Sequence, residues 1–291
     1  MPDWIDAFLR REQLPATYRH TIDAALVPLA GAIERRARLA DHMLLVGLCG
    51  AQGSGKSTAA AALVNLLARE DLPAAALSID DFYLPRAARR ELARTVHPLL
   101  ATRGVPGTHD VELAQAVIDQ LALPGEVLLP SFDKARDDRH PHRQWLPATG
   151  PLRVVILEGW CVGARAQSAA QLAAPVNALE RDEDAEGIWR RHVNDALAGP
   201  YRALFDRLSM LVLLQAPSFE VVQAWRGEQE RKLRARLQRA GADASRLMDE
   251  AGIARFIAHY ERVSRHILAE MPARADHVIS LSSTRTAQWI R

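Results

Sequence analysis

The sequence predicts an α/β fold, a three-layer sandwich in which a mostly parallel sheet is flanked by helices. Three observations predict it. Short apolar runs of strand length recur along the chain, stretches with helical apolar spacing lie between them, and a glycine-rich turn joins the first run to a helix former. Strands buried on both faces read as continuous apolar runs rather than as alternation, and 43–49, 152–157 and 211–214 read that way.

Taken in order, residues 1–41 form an N-terminal helical extension, with Ile22, Leu26, Leu29 and Ile33 on one side and Arg35, Arg36 and Arg38 facing outward. This extension carries no site signal. The strand at 43–49 is followed by the alanine- and leucine-rich helix 57–69, then, after Pro73, by a strand at 74–79. Further strands fall at 127–129, 152–157, 211–214 and 277–281, and helices at 110–122, about 188–207, 218–239 and 246–270. The segment 131–147 reads as a polar loop, and the acidic segment 177–187 as a solvent-facing one. Residues 42–291 make one domain in which ligands are expected beyond the carboxyl ends of the strands.

The turn itself is Gly50-Ala51-Gln52-Gly53-Ser54-Gly55-Lys56-Ser57, a full match to G-x-x-x-x-G-K-[ST] in the strand-to-helix setting that the motif needs. Its glycines let backbone N–H groups curl around phosphate oxygens, and the helix start at Ser57-Thr58 adds unpaired donors and a positive dipole end. Lys56 then reaches the β- and γ-phosphates, and Ser57 sets its hydroxyl on magnesium. The reading is a P-loop NTPase-type sandwich that binds a nucleoside triphosphate.

Other strand ends carry chemistry. Asp80 and Asp81 directly follow the strand 74–79, where a carboxylate can activate an acceptor hydroxyl, and Asp80 is the first choice as base. Glu158 follows 152–157 and suits magnesium, directly or through water. In 131–139, Lys134, Arg136 and Arg139 can clamp a small anion, although Asp133, Asp137 and Asp138 can equally neutralise them. Thr108 and His109, candidates to face the substrate, precede Asp110, which reads as a helix cap. The cationic stretch with Arg226, Arg231 and Arg234 is either a solvated helix face or a lid that brings arginines to the phosphate in transfer.

A net charge of +2 over 291 residues is too close to neutral to indicate a nucleic-acid or membrane partner. No run approaches the roughly 18 apolar residues of a membrane span, and the start, Met1-Pro2-Asp3-Trp4, lacks a basic-then-apolar leader pattern. Cys49 and Cys161 sit in apolar surroundings and read as buried thiols. A cytoplasmic protein is expected, of an oligomeric state that the sequence does not indicate.

With these motifs assembled, the chain resembles the D-glycerate 3-kinase family, within the group of phosphate-loop kinases that includes uridine kinase, pantothenate kinase and phosphoribulokinase. The resemblance runs from about 43 to 281 and rests on the 50–58 loop, Ser78-Ile79-Asp80-Asp81-Phe82-Tyr83-Leu84, Arg103-Gly104-Val105-Pro106-Gly107-Thr108-His109-Asp110, Ser131-Phe132-Asp133-Lys134, Glu158-Gly159-Trp160 and Trp225-Arg226-Gly227-Glu228-Gln229-Glu230. It implies an ATP- and magnesium-dependent kinase, with Asp80 at the position of the acid that activates the acceptor and Glu158 at the acidic position near magnesium. Asp133-Lys134-Ala135-Arg136-Asp137-Asp138-Arg139 departs from the family's Asp-Lys-Ser and glycine-rich turn, which leaves the acceptor the least defined part. The expected reaction is phosphorylation of a small hydroxy acid, D-glycerate first. A uridine- or pantothenate-type kinase and a regulatory ATPase without a small acceptor stand as alternatives.

Overall fold

The computed structural model describes residues 4–239 and 249–290, the side chains of 229, 230 and 232–239 excepted. Helices α1 (Trp4–Arg11), α2 (Tyr18–Thr21) and α3 (Val27–Leu39), with a π-helical turn at Ile22–Leu26, lead into β1 (Leu44–Gly50) and α4 (Lys56–Arg69). β2 (Ala74–Ser78) passes through a 3₁₀ turn, Ile79–Phe82, to α5 (Arg86–Thr95) and α6 (Val111–Leu121). Five strands follow: β3 (Gly125–Leu129), β4 (Phe132–Asp133), β5 (Asp138–Arg139), β6 (Leu146–Gly150) and β7 (Val154–Gly159). Helices α7 (Ala169–Leu172), α8 (Ala178–Glu183), α9 (Ile188–Ala198) and α10 (Pro200–Phe205) precede β8 (Met210–Gln215). The chain closes with α11 (Phe219–Arg239), α12 (Glu250–Arg274), β9 (His277–Leu281) and β10 (Ala287–Trp289).

The central sheet has the order β10-β9-β8-β1-β7-β2 and is parallel except for β10 at its edge. Successive residues of its strands feed different cores. Leu45, Val155 and Leu213 join one buried cluster with α6, α9 and α12, whereas Leu44, Val154 and Leu214 join another with the N-terminal helices and α4. That division is the physical meaning of a sheet covered on both faces, and the fold is the α/β sandwich that the sequence predicts. The apolar positions Ile22, Leu26, Leu29 and Ile33 are all buried in the second cluster. Among the described residues no helix is long and apolar enough to cross a membrane.

Three expectations change. The run 127–129 is not a strand of the main sheet. β3 pairs antiparallel with β6 in a separate two-stranded ribbon, and the polar loop 131–147 thereby gains short strands of its own. The helix at 188–207 is broken at Gly199-Pro200 into α9 and α10, because proline supplies no N–H to the preceding turn. The acidic run 177–187 does not simply face solvent. Glu180 is fully buried and grips Arg262 of α12 through two oxygens at 2.6 and 2.7 Å, while Asp184, also buried, pairs with Arg190 at 3.0 Å.

Candidate active site

β1 is buried along its whole length and carries the chain up the middle of the sheet to the phosphate loop. The strands beside it, β7 and then β2, run parallel to it, so Gly159 and Ser78 end on the same edge. Gly55 caps α4 at φ 88° in open space, so glycine is needed there for backbone conformation and not for room. Lys56 Nζ donates to the Ala51 carbonyl at 3.1 Å. The loop borders a cleft of about 380 Å³, which gathers Lys56, Ser57, Asp80, Lys134 and Glu158.

At the end of β2, Ile79 and Phe82 plug into the core, and the two carboxylates between them go different ways. Asp80 lines the cleft, accepting from the Tyr83 hydroxyl at 2.8 Å and from Lys134 Nζ at 2.8 Å. Burial by itself would raise its pKa. The Lys134 charge and both hydrogen bonds outweigh burial and hold the carboxyl at about 2. Asp81 instead accepts the Phe132 N–H at 3.2 Å and fastens the 131–139 arm. Burial, with repulsion from Asp80 and Glu158, pushes Asp81 up to about 6 against that hydrogen bond.

Glu158, at the end of β7, is 4% exposed and accepts the Ser57 hydroxyl at 2.6 Å. Two hard oxygen donors thus meet beside the phosphate loop. Among the described residues no group of three or more His, Cys, Asp or Glu forms a complete metal cage. A cation held here would therefore take its remaining ligands from phosphates and water, as magnesium does.

The far wall is built around Arg103-Gly104. Trp160 Nε1 donates to the Gly104 carbonyl at 2.8 Å, the Tyr260 hydroxyl donates to the Arg103 carbonyl at 3.0 Å, and the two rings meet edge to face. Gly104 has φ 123°, and a Cβ there would lie well under 3.0 Å from the Tyr260 hydroxyl oxygen. Arg103 lines the cleft, lies over the Phe132 ring at 5.5 Å and pairs with the Asp137 carboxylate. Behind it Arg89, 1% exposed, donates to the carbonyls of Leu84, Ala101 and Asp137 at 3.1, 2.8 and 2.7 Å.

Of the expected substrate residues, only Asp80 and Lys134 line this cleft. Thr108 is fully buried, its hydroxyl accepting from the Gly104 N–H at 2.9 Å and donating to the Val105 carbonyl at 2.7 Å. His109 stacks on Tyr83 and shares a hydrogen bond of 2.5 Å with the Tyr201 hydroxyl. Burial pulls its imidazole down to about 4, so it supports the wall as a neutral ring. Arg139 donates to the Tyr83 carbonyl and to Asp110, each at 3.0 Å, and lies outside the cleft lining. Asp110 is also the expected cap, accepting from the Leu113 N–H at 3.1 Å. Arg139 is thus bonded within the scaffold and lies away from the cleft, whereas Arg103, quoted in a motif but given no role, lines it.

Arg226 also lines the cleft, over Phe256 at 5.4 Å. Arg231 is exposed on α11, and the side chain of Arg234 lies outside the described residues. Sequence reasoning did not find Arg89 or Tyr260. The one available signal was Gly104, since an arginine-glycine pair ahead of Pro106-Gly107 marks backbone in need of special support.

The chain is 33% identical over 239 residues to the uncharacterized kinase mug58 of Schizosaccharomyces pombe, an overlap covering 78% of this chain and 82% of that protein. It is 30% identical over 244 residues to the chloroplastic D-glycerate 3-kinase of Arabidopsis thaliana, covering 80% of this chain and 50% of the longer plant protein. The structure of D-glycerate 3-kinase from Cryptococcus neoformans superposes with a TM-score of 0.73 at 22% identity, over 95% of this chain and 100% of that one, and this likeness speaks for the fold. No protein-family model matches the chain. It binds nucleotide through its phosphate loop and works as an ATP-dependent kinase, and it belongs to the D-glycerate 3-kinase family of phosphate-loop kinases.

Proposed function

We propose that this kinase transfers the γ-phosphate of ATP to a hydroxyl of a small hydroxy acid, D-glycerate first, giving 3-phosphoglycerate. The observation that carries the reading is the setting of Asp80, an ionised strand-end carboxylate held by Lys134 in one cleft with Lys56, Arg103 and Arg226. A cleft with that many cations suits an acceptor that is itself an anion. The names of the Arabidopsis and Cryptococcus relatives make glycerate the first candidate. Trp160 and Tyr260 also line the cleft, but at 4% and 2% exposure too little of either ring is open for a nucleoside base to stack on it.

In this reading the loop N–H groups hold the phosphates, and Lys56 exchanges the Ala51 carbonyl for the β- and γ-phosphate oxygens. Ser57 and Glu158 would hold magnesium, which would supply neutralisation of the phosphate charge. Asp80 takes the proton of the acceptor hydroxyl as the new P–O bond forms and the bond from the γ-phosphorus to the β,γ-bridging oxygen breaks, ADP being the leaving group. The acceptor's carboxylate competes with Asp80 for Lys134. As Lys134 turns toward the acceptor, the main influence holding Asp80 low is withdrawn, so the base strengthens with acceptor in place. Arg103, held now by the Asp137 carboxylate, exchanges that partner for the acceptor's, and Arg226 faces the phosphate in transfer.

The test is ADP release measured with D-glycerate, pantothenate, uridine and no acceptor. Glycerate-dependent release is expected. Release that is equal without acceptor would replace the reading by an ATPase, and turnover of uridine or pantothenate alone would remove the acid clamp.

A further inference from the structure

Asp80 is held at both carboxylate oxygens, and the two holds differ in kind. Oδ2 accepts from Lys134 Nζ and Oδ1 from the Tyr83 hydroxyl, each at 2.8 Å. Lys134 reaches in from the turn between β4 and β5 on a side chain that is 61% exposed. Tyr83 is buried and fixed from several directions. Its ring stacks on His109 with centroids 4.7 Å apart and meets Phe132 edge to face at 5.1 Å. Its backbone is stitched to the segment before α6, with the Leu84 N–H on the Thr108 carbonyl at 2.9 Å and the Asp110 N–H on the Phe82 carbonyl at 2.7 Å. Burial and the Asp80 charge push the Tyr83 phenol well above its ordinary range, so the hydroxyl stays a donor.

We propose that Tyr83 is a positioning residue for phosphoryl transfer: its hydroxyl keeps Oδ1 fixed after Lys134 has turned to the acceptor, and the vacated Oδ2 is the atom that takes the acceptor's proton. This rests on the reading of Asp80 as the base. The proton of the acceptor hydroxyl goes to Oδ2, the acceptor oxygen bonds the γ-phosphorus, and ADP leaves with the β,γ-bridging oxygen. The last torsion of an aspartate is broad, so without the Tyr83 bond the carboxylate would turn as soon as Lys134 left it. Misplacing a reacting group by about 1 Å can cost on the order of 10²-fold in rate.

Lys134, His109, Asp81, Cys161 and Tyr260 lie within electrostatic range of Asp80. Lys56, Arg103, Glu158 and Arg226 stand on the walls of the same cleft. Tyr83→Phe removes none of these groups and keeps the packed ring, so it withdraws only the donor to Oδ1.

Steady-state kinetics of Tyr83→Phe, with whichever panel acceptor the wild type turns over, tests the assignment. The kcat should fall about tenfold with both KM values within about twofold, and its acid limb should move to higher pH, because ionised Asp80 loses a hydrogen bond. 3-Fluorotyrosine at position 83 is nearly isosteric and a stronger donor, so it should move the limb to lower pH and gives the reading even if Tyr83→Phe does not fold. Tyr201→Phe is the control for a loosened wall, since it loses the bonds to His109 at 2.5 Å and to the Gly107 N–H at 3.1 Å. Its acid limb should stay in place. A limb as displaced in Tyr201→Phe as in Tyr83→Phe would overturn the proposal, and so would a raised acceptor KM with unchanged kcat in Tyr83→Phe. Near-normal turnover by Asp80→Asn would remove the base and this proposal together. An inactive Asp80→Asn beside an unaltered Tyr83→Phe would overturn this proposal alone.

Discussion

Lys134 and Asp80 lie 54 residues apart in sequence and 2.8 Å apart in the cleft, and the ammonium holds the carboxylate far below its ordinary range. Without Lys134, burial dominates and the Asp80 pKa rises. A carboxylate base works only when ionised, so in Lys134→Met the acid limb of kcat/KM should move to higher pH. The check is a pH–rate profile of wild type and Lys134→Met, with Asp80→Asn as the reference for loss of the base. Asp80→Asn itself should lower kcat by on the order of 10²-fold or more with ATP affinity nearly intact. An acid limb that stays in place would show that Asp80 is not the group being titrated.

Lys56→Ala should abolish turnover and weaken ATP binding in a protein with an unchanged circular dichroism spectrum. Glu158→Gln should behave differently, recovering activity as magnesium is raised, because it loses a charge from the ion's surroundings and not the loop's contact with phosphate. Magnesium titrations of single-turnover rates separate the two, and parallel curves would refute the division of roles.

Arg103 and Arg139 give a paired test of the acceptor site. Losing a charge-assisted hydrogen bond to substrate is worth roughly 1.5–3 kcal/mol, or about one to two decades in affinity. Arg103→Ala should raise the glycerate KM by that factor and leave the ATP KM within a few-fold. Arg139→Ala should act mainly on thermal stability, since its partners are Asp110 and the Tyr83 carbonyl. Steady-state kinetics with each substrate varied in turn would reverse the assignment if Arg139→Ala gave the larger glycerate effect.

Glu180 and Arg262 predict a stability effect far from the chemistry. Removing one partner of a buried ion pair leaves the other charge uncompensated, at a cost of about 3–5 kcal/mol. Glu180→Ala should lower the free energy of unfolding in urea by that order. Replacing both by Leu and Met should restore a good part of it, and a double variant as unstable as the single one would refute the account.

The parts of this structure legible in the sequence are those whose physics is local. β1, β7 and β8 are buried on both faces, so their apolar runs identify them unaided, and Lys56 and Glu158 stand out because each ends or follows such a strand, while Asp80 follows the more exposed alanine run of β2. β3 has the same apolar look as a core strand, but its partner β6 is a mixed, mostly exposed segment, and nothing in Val127-Leu128-Leu129 discloses that pairing. The buried charges were hidden for a similar reason. Glu180 reads as surface until Arg262 arrives from 82 residues away, and Arg103 becomes a cleft residue only because Tyr260, 157 residues on, supports its backbone.

The arm 131–139 is fastened along its length, by the Phe132 N–H to Asp81, Asp137 to Arg89 and Arg103, the Arg86 N–H to Asp138, and Arg139 to Asp110. Each anchor on the body side belongs to the scaffold and not to the arm. Beyond Lys134, which pairs with Asp80, positions 135 and 136 of the arm can thus be rewritten while the scaffold stays folded. On the proposed reading, substitutions in that one short turn would alter part of what an acceptor meets without altering the fold.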